Sequence, residues 1–306
     1  RETIKIIAGK KKNIRLEFLK KNFSAWMLII PAFLCIYYII IRPQVTGIAW
    51  SFYNMQGYKI TTFAGVDNFK RILSDNQFYT TLFNTIKYVI WSLLVGFVLP
   101  IIIAVMLNEA VHMRNTFKFL LYFPSVLPGV AVTLLWYLVY SPDESGLLNM
   151  MLTKIGFAPY TWLQDANWTI LYIIISMTWT SAGATALYYF ASLQGVSRDL
   201  YEAAVIDGAG FFKRLWHITL PHMSGIILLM LIRQIIGVFS IMEQPMQMTD
   251  GGPNGASLTL GLLSYRYGFV NGRPQLAMAV GVVMFIILMV ITCFYYALDK
   301  KISDNK

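Results

Sequence analysis

Apolar runs of about 20 residues recur along this 306-residue chain, and they constrain its fold more than any other feature. As a helix, each run is long enough to cross a hydrocarbon core of about 30 Å. Because the runs are continuous, they favour helices over barrel strands, in which apolar and polar residues alternate. Six runs are found, at residues 24–41, 82–107, 119–140, 168–193, 223–242 and 275–298. The sequence therefore predicts an all-α integral membrane protein with six spans over residues 24–298.

The distribution of Lys and Arg predicts the orientation. Most of the 25 basic residues lie in the tail 1–23 and in the segments 109–118, 194–222 and 299–306. Short basic flanks stay in the cytoplasm, so both chain ends are expected inside. The tail 1–23 is either a short amphipathic helix on the inner surface or a solvated basic segment. Because the basic residues are scattered beside spans, the net charge of +10 indicates contact with membrane lipid and not with nucleic acid.

Two features within the spans bear on local structure. Pro124, Pro128 and Gly129 interrupt the third run, which predicts either an unwound turn or an ordinary kink used for packing. Cys35 and Cys293 lie inside apolar runs, without metal-ligand spacing. We therefore expect neither a metal site nor a disulfide.

Polar stripes mark the fourth and fifth runs. Their members recur three or four residues apart, which places them on one helical face: Thr178, Ser181, Thr185 and Tyr188 in the fourth run, and Arg233, Gly237 and Ser240 in the fifth. The stripes line either an aqueous path or helix contacts that use hydroxyl hydrogen bonds. For Arg233 the functional interpretation is favoured, because burying an unpaired guanidinium is costly. The candidate path residues are Ser181, Thr185, Tyr188, Arg233, Gln234 and Ser240.

The segment 194–222 between these runs is too polar for the membrane and too patterned for a linker. Asp199 is predicted to cap a short helix, with Glu202 completing a capping box. Residues 207–210 supply a glycine-containing break, after which a second amphipathic stretch covers 211–219. Small residues and the carboxylates of Glu202 and Asp207 would suit close docking of another protein.

This loop resembles that of the permeases of binding-protein-dependent ABC importers. The family motif E-A-A-x-x-D-G-A, followed by I-x-L-P, is matched by Glu202, Ala203, Ala204, Asp207, Gly208, Ala209, Ile218, Leu220 and Pro221. The family often has a further proline after L-P, where this chain has Ser224 and Gly225. Segments 123–149 and 248–269 resemble the carbohydrate permeases of the maltose and glycerol-phosphate type.

The resemblance implies a type I ABC importer transmembrane domain in the cell membrane. Its expected partners are a second homologous permease, an ATPase dimer and an extracellular sugar-binding protein, and its expected substrate is an oligosaccharide. Residues 201–209 would be the coupling helix, seated on the ATPase with Glu202 as an ionic contact; Tyr201, Ala203, Ala204, Asp207, Gly208 and Ala209 complete the expected docking set. The chain has no phosphate-loop motif, so the partner ATPase is expected to bind ATP and Mg. No cofactor and no enzymatic activity are expected of this chain.

Three alternatives remain open. An ion-coupled secondary transporter would need buried acidic residues, for which Glu243 is the one plausible candidate. A membrane enzyme built on His112, His217 and His222 would lack an acidic ligand cluster. An ABC importer for a non-sugar solute would share the docking loop, and the sequence around residues 251–254 argues against it.

Overall fold

A bundle of long helices forms the protein. The computed structural model describes residues 23–109 and 113–303, so the predicted tail 1–23, apart from Phe23, and the last residues, 304–306, lie outside the described part. Five helices are long and apolar enough to span a membrane: Trp26–Trp50, Asn76–Glu109, Thr169–Leu193, Phe211–Phe239 and Pro274–Ala297. Arg114–Val126 and Gly129–Val139 pass the same test as a pair bent by 96°, and they complete six spans when counted as one. We number these spans first to sixth in chain order.

The remaining elements are short and connect the spans. They are the strands β1 (Tyr53–Gln56) and β2 (Lys59–Phe63) and the helices Asp67–Leu73, Leu147–Lys154, Arg198–Ile206, Glu243–Thr249 and Leu260–Tyr265. The strands form one antiparallel hairpin, in which Tyr53 pairs with Phe63. The last helix of the chain continues from Pro274 to Ser303.

The third span is broken, as the proline pair indicates. A 3₁₀ turn over Phe123–Val126 leads to Leu127 in extended backbone, with ψ 141°, and the helix restarts at Gly129. The residue before a proline avoids the helical region, which accounts for the extended Leu127 before Pro128. A bend of 96° is far more than a packing kink, so the unwound-turn interpretation is the correct one.

The first span is longer than the sequence indicated. Its helix continues through Arg42–Trp50, where the apolar pattern placed an external loop. A π-helical turn over Ile36–Ile41 directly precedes Pro43, and such a turn accommodates a residue that lacks a backbone amide hydrogen. All side chains from Trp26 to Val45 are exposed, so most of this surface is left for lipid or a partner.

The connecting segments gather at two ends of the bundle. The hairpin end holds the β-hairpin with residues 140–168 and 240–273, and Tyr58 Oη donates a hydrogen bond of 3.3 Å to the Gly268 carbonyl there. The loop end holds residues 194–219. The assignment of the loop end to the cytoplasm stays a prediction of the Lys and Arg pattern.

The fourth span forms the centre of the bundle. Its buried residues contribute to two hydrophobic clusters, one around Ile173 and Ile174 and the other around Ala186 and Tyr189. At Gly183 an added Cβ would collide with the backbone carbonyl of Leu121 in the third span. Small residues permit this kind of close helix approach in membranes, and here the approach fixes the third span beside the cavity described next.

Candidate translocation cavity and docking loop

A cavity of about 350 Å³ lies among the second, third, fourth and fifth spans, and many polar side chains line it. Its polar lining residues are Ser92, Thr133, Trp136, Ser176, Thr178, Thr180, Ser181, Thr185, Arg233, Gln234 and Gln244. Apolar side chains, among them Val132, Ile174 and Met230, complete the wall. The bundle therefore forms a partly open site with many hydrogen-bonding groups inside its span region.

Four of the six predicted path residues line this cavity: Ser181, Thr185, Arg233 and Gln234. Tyr188 lies next to it, with the Arg233 guanidinium carbon 5.8 Å from the centre of its ring. Ser240 lies elsewhere, in a groove between the first and sixth spans. The fifth span ends at Phe239, and Ser240 has left the helical backbone, so the helical spacing that linked it to Arg233 no longer applies.

The cavity hydroxyls on the fourth span share one hydrogen-bonding pattern. Thr178, Thr180 and Ser181 each donate to the backbone carbonyl four residues earlier, at 2.7, 3.1 and 3.0 Å. This bond to the preceding turn uses the hydroxyl hydrogen and leaves the oxygen lone pairs available. These side chains therefore present acceptors to whatever occupies the cavity.

Several cavity residues lie outside the sequence stripes, on the third span or elsewhere on the fourth. Thr133 follows the break in the third span and donates to Gln247 Oε1 at 2.8 Å, while Ser176 donates to Met248 Sδ at 3.3 Å. Both acceptors belong to the short helix Glu243–Thr249, which thereby closes the cavity towards the hairpin end. Periodicity within one span cannot reveal such convergence between elements; only the Pro128 and Gly129 break signalled it.

A glycine of the second span approaches the cavity wall closely. Gly96 lies in a π-helical turn, Ser92–Phe97. A Cβ there would lie 3.1 Å from both Gln234 Nε2 and Thr178 Oγ1. Since π-turns occur often at functional sites, this turn brings the second span against two cavity side chains without displacing them.

Hydrogen bonds hold the loop 250–258 next to the helix Glu243–Thr249, which covers the cavity. Arg266 Nη2 donates to the Asp250 carbonyl at 2.6 Å and to its carboxylate at 2.9 Å. From the second span, Asn84 Nδ2 donates to the Gly255 carbonyl at 2.8 Å, and Tyr88 Oη donates to that of Ser257 at 3.2 Å. The loop is thus tied to helices on two sides.

Asn149 organises the rest of the hairpin end. Its Nδ2 lies within 3.0 to 3.2 Å of four backbone carbonyl oxygens, including that of Tyr160. Its Oδ1 accepts from the Tyr160 amide at 2.9 Å and from Trp162 Nε1 at 2.8 Å. Nearby, a hydrogen bond from the Tyr160 hydroxyl, together with one from the Asn167 amide, lowers the pKa of Asp165. The segment 141–167 is therefore an ordered surface.

At the loop end, the predicted docking helix is present with different limits. It runs over Arg198–Ile206, and its cap is Ser197, whose Oγ accepts from the Asp199 amide at 3.2 Å. Asp199, predicted as the cap, is the second helical residue. Serine is among the residues most favoured as an N-cap, and its position two residues before Asp199 starts the helix earlier.

The end of this helix explains the D-G-A part of the motif. Gly208 has φ 76°, a conformation that favours glycine, and its amide donates to the Val205 carbonyl at 3.0 Å. The Ala209 amide donates to the Ala204 carbonyl at 2.8 Å. These two bonds form a Schellman motif. Residues 207–209 are therefore its C-terminal cap. This agrees with the glycine-containing break predicted at 207–210, whereas the coupling helix implied by the resemblance, 201–209, extended too far.

The second amphipathic stretch is part of the fifth span. Helix Phe211–Arg214, the π-helical turn Leu215–Thr219 and helix Leu220–Phe239 follow one another without a break. Pro221 is accommodated directly after the π turn, as Pro43 is in the first span. The amphipathic stretch expected in the loop thus belongs to the fifth-span helix, and one continuous helix leads from the loop to Arg233.

The docking helix is braced on one side and open on the other. Tyr201 Oη lies 3.0 Å from Thr219 Oγ1, at the start of the fifth span. Tyr201, Ala204 and Ala209 are half-buried, whereas Glu202, Ala203, Asp207 and Gly208 are exposed. Ile206 is 86% exposed, so apolar and acidic side chains share the open surface. Such a patch outside the spans is typical of a protein interaction site.

Membrane-spanning helices around a polar cavity, joined by a continuous helix to an exposed docking surface, define the class of membrane permeases. Within this class, residues 96–304 match the family of binding-protein-dependent transport system inner membrane components. The chain belongs to this family of ABC transporter permeases and is an integral membrane protein.

Relatives match along nearly the whole chain. The arabinooligosaccharides transport system permease protein AraP of Bacillus subtilis is 30% identical and covers 93% of this chain and 91% of its own length. The lactose transport system permease protein LacF of Rhizobium radiobacter is also 30% identical, covering 92% and 96%. The fold is similar to a chain of a bacterial alginate ABC transporter in complex with an alginate pentasaccharide-bound periplasmic protein, with a TM-score of 0.84, 25% identity and coverage of 94% and 97%.

Proposed function

We propose that this chain is one permease subunit of an ATP-driven, binding-protein-dependent importer of sugars, with an oligosaccharide as its substrate. The observation that carries the proposal is the unbroken helix Phe211–Phe239, which joins the docking loop to Arg233 and Gln234 in the cavity. The arabinooligosaccharide and lactose permeases among its relatives support the substrate class.

The continuous helix provides the mechanical link. From Phe211 to Arg233 it extends about 33 Å, at about 1.5 Å per residue. The bond between Tyr201 and Thr219 holds the docking helix against the start of this rod. Closure of a docked ATPase dimer would move docking helix and rod together, and the cavity would change from inward-facing to outward-facing. The ATPase subunits bind ATP and Mg and carry out the hydrolysis.

One chain supplies only part of the path. Ser181, Tyr188 and Arg233 are exposed although they lie in or beside the cavity, so the cavity is open on that side. A second homologous permease would provide the opposite wall. The extracellular sugar-binding protein would dock at the hairpin end, where the ordered segment 141–167 offers a surface, and the ATPase dimer would dock at the loop end, which the Lys and Arg pattern assigns to the cytoplasm.

The cavity's chemistry suits a saccharide. The acceptor oxygens of Thr178, Thr180 and Ser181 match the many hydroxyl donors of a sugar. Trp136 lines the same wall and contacts Trp179 edge-to-face, with ring centres 5.9 Å apart. Aromatic rings with polar neighbours stack on the apolar faces of sugar rings.

A charge reversal in the docking set tests the proposal. Glu202 is exposed and has no bond to the rest of the described chain that its replacement would break, so Glu202→Lys should leave the permease folded. We expect it to abolish sugar-stimulated ATP hydrolysis and uptake in the complex reconstituted with its partners, because a lysine would meet the cationic side of the docking groove. Asp67→Lys, at an exposed acidic residue outside the segment 141–167, is the matched control and should keep both activities.

Two results would contradict the proposal. One is full stimulated hydrolysis and uptake by the Glu202→Lys complex. The other is transport by the chain in cells that lack every ABC ATPase, since uptake would then draw on another energy source.

A further inference from the structure

The cavity contains one charged side chain among its described lining residues, Arg233. Its guanidinium faces the Tyr188 ring at 5.8 Å. Within residues 26–109 and 113–297, whose side chains the structure describes, no carboxylate lies within ion-pair distance of it. An ionised group inside a span is costly and is usually compensated by a partner or used for function. Because Arg233 is exposed on the open side of the cavity, an anion outside this chain can reach its guanidinium.

The other polar groups of the wall do not call for a cation. Thr178, Thr180 and Ser181 present acceptor oxygens, which suffice for the hydroxyls of a neutral sugar. A guanidinium adds a planar set of donors whose geometry fits a carboxylate through two parallel hydrogen bonds. Its neighbour Gln234 contributes a further side-chain amide to the same wall.

The donors of Arg233 and Gln234 on the fifth span border a cavity whose fourth-span hydroxyls present acceptors. This arrangement suits a ligand that carries both hydroxyls and an anionic oxygen.

We infer that the oligosaccharide passing through this cavity carries carboxylate groups, as uronic-acid residues do, and that Arg233 binds one of them. This inference rests on the proposed sugar-import function and narrows its substrate class. The ring face of Tyr188 holds the guanidinium by a cation–π contact, so that its N–H groups are oriented before the saccharide arrives. Arg233 is then the residue that selects acidic over neutral saccharides within the membrane.

The test uses the complete importer in liposomes with its binding protein, and two matched probes. One set is a panel of uronic-acid trisaccharides; the other is the same panel with each carboxylate reduced to a neutral alcohol. We expect the wild-type complex to import an acidic member about 10- to 150-fold faster than its reduced counterpart, the range of one charged hydrogen-bonded pair. Arg233→Gln should reduce import of the acidic member by the same factor, and Arg233→Lys by less, since it keeps the charge.

Controls separate recognition from assembly. Lys87→Gln removes a cation of the second span whose ammonium lies 4.7 Å from the Phe83 ring centre and outside the cavity, and it should not change import. Arg233→Gln should copurify with the second permease in wild-type yield. Loss of that subunit from the Arg233→Gln complex would show that Arg233 pairs with an acid of the second permease, and would overturn the inference.

The remaining outcomes are also decisive. If the wild-type complex imports reduced trisaccharides and rejects acidic ones, the inference is wrong while sugar import stands. If the complex imports no saccharide of either kind, the proposed function itself fails.

Discussion

Gly208 and Gly210 lie between the docking helix and the fifth-span helix, and their backbone conformations differ. The same substitution at each position therefore tests the cap of the docking helix. Neither glycine has an atom within 4 Å of an added Cβ, so a side chain meets no steric barrier at either site. Gly208 has φ 76°, in the left-handed region, whereas Gly210 has φ −69° and ψ 174°, in the extended region. The same serine is therefore expected to have opposite effects.

The magnitudes follow from these conformations. A residue with a Cβ costs about 1–2 kcal/mol in the left-handed region, so Gly208→Ser should weaken the Schellman cap by at least about 1 kcal/mol. At Gly210, which caps the fifth-span helix, serine is a preferred N-cap and should be neutral or stabilising by a few tenths of a kcal/mol. Gly208→Asn should be milder than Gly208→Ser, because asparagine tolerates this conformation.

Hydrogen exchange of the purified permease measures the effect directly. The reporters are the amides of Asp207, Gly208 and Ala209, which donate to carbonyls of the docking helix. A loss of about 1 kcal/mol should accelerate their exchange roughly fivefold in Gly208→Ser and leave it unchanged or slower in Gly210→Ser. In the reconstituted complex, Gly208→Ser should also import fewer sugar molecules per ATP hydrolysed. Equal exchange rates in the two serine variants would refute the assigned role of the cap.

Three further predictions concern residues whose packing or hydrogen bonds stabilise the local structure. Gly183→Ala should lower the free energy of unfolding of the purified permease by about 1–3 kcal/mol, because its methyl group would collide with the Leu121 carbonyl. Asn149→Ala should make the segment 141–167 sensitive to limited proteolysis, since it removes the side chain on which several backbone groups of that segment converge. Tyr201→Phe should cost about 1 kcal/mol in a double-mutant cycle with Thr219→Val, read by the same hydrogen exchange, because it deletes one hydrogen bond.

Each of these has a matched control elsewhere in the chain. Gly225→Ala, at an exposed helical glycine with no atom within 4 Å of the added Cβ, should not destabilise the protein. Asn115→Ala and Tyr79→Phe change exposed side chains and should leave proteolysis and exchange at wild-type levels. A control that behaves like its partner would mean that the named contact is not the cause. Additive effects of Tyr201→Phe and Thr219→Val would likewise exclude their coupling.

The sequence predicted the spans and the break in the third of them well, because both depend on local chemistry. A run of about 20 apolar residues is helical wherever it meets lipid, and Pro128 forces Leu127 out of the helical region in any context. The errors in the limits of the first and fifth spans also have a local cause. The apolar runs placed the end of the first span at residue 41 and the start of the fifth at residue 223. The helices continue past these limits through π-helical turns near Pro43 and Pro221, which the apolar pattern does not signal.

The cavity shows where local reasoning ends. The stripe spacing predicted Ser181, Thr185 and Arg233, which line the cavity with Gln234, since residues three or four apart on one helix share a face whatever surrounds them. Thr133, Trp136 and Met248 were not identified, because they reach the cavity from elements whose positions depend on a 96° bend and on a short cover helix.

The sequence by itself predicted the class of protein, the number of its spans and the glycine-containing break at residues 207–210, because apolar length and glycine conformation act over a few residues. Only the tertiary structure shows that the docking helix contacts the fifth span through Tyr201 and Thr219. Only the structure shows, too, that Arg233 lines a cavity without a counter-ion among the described residues. Both are contacts between side chains distant in the chain or in separate spans, and their distances are set only when the helices pack.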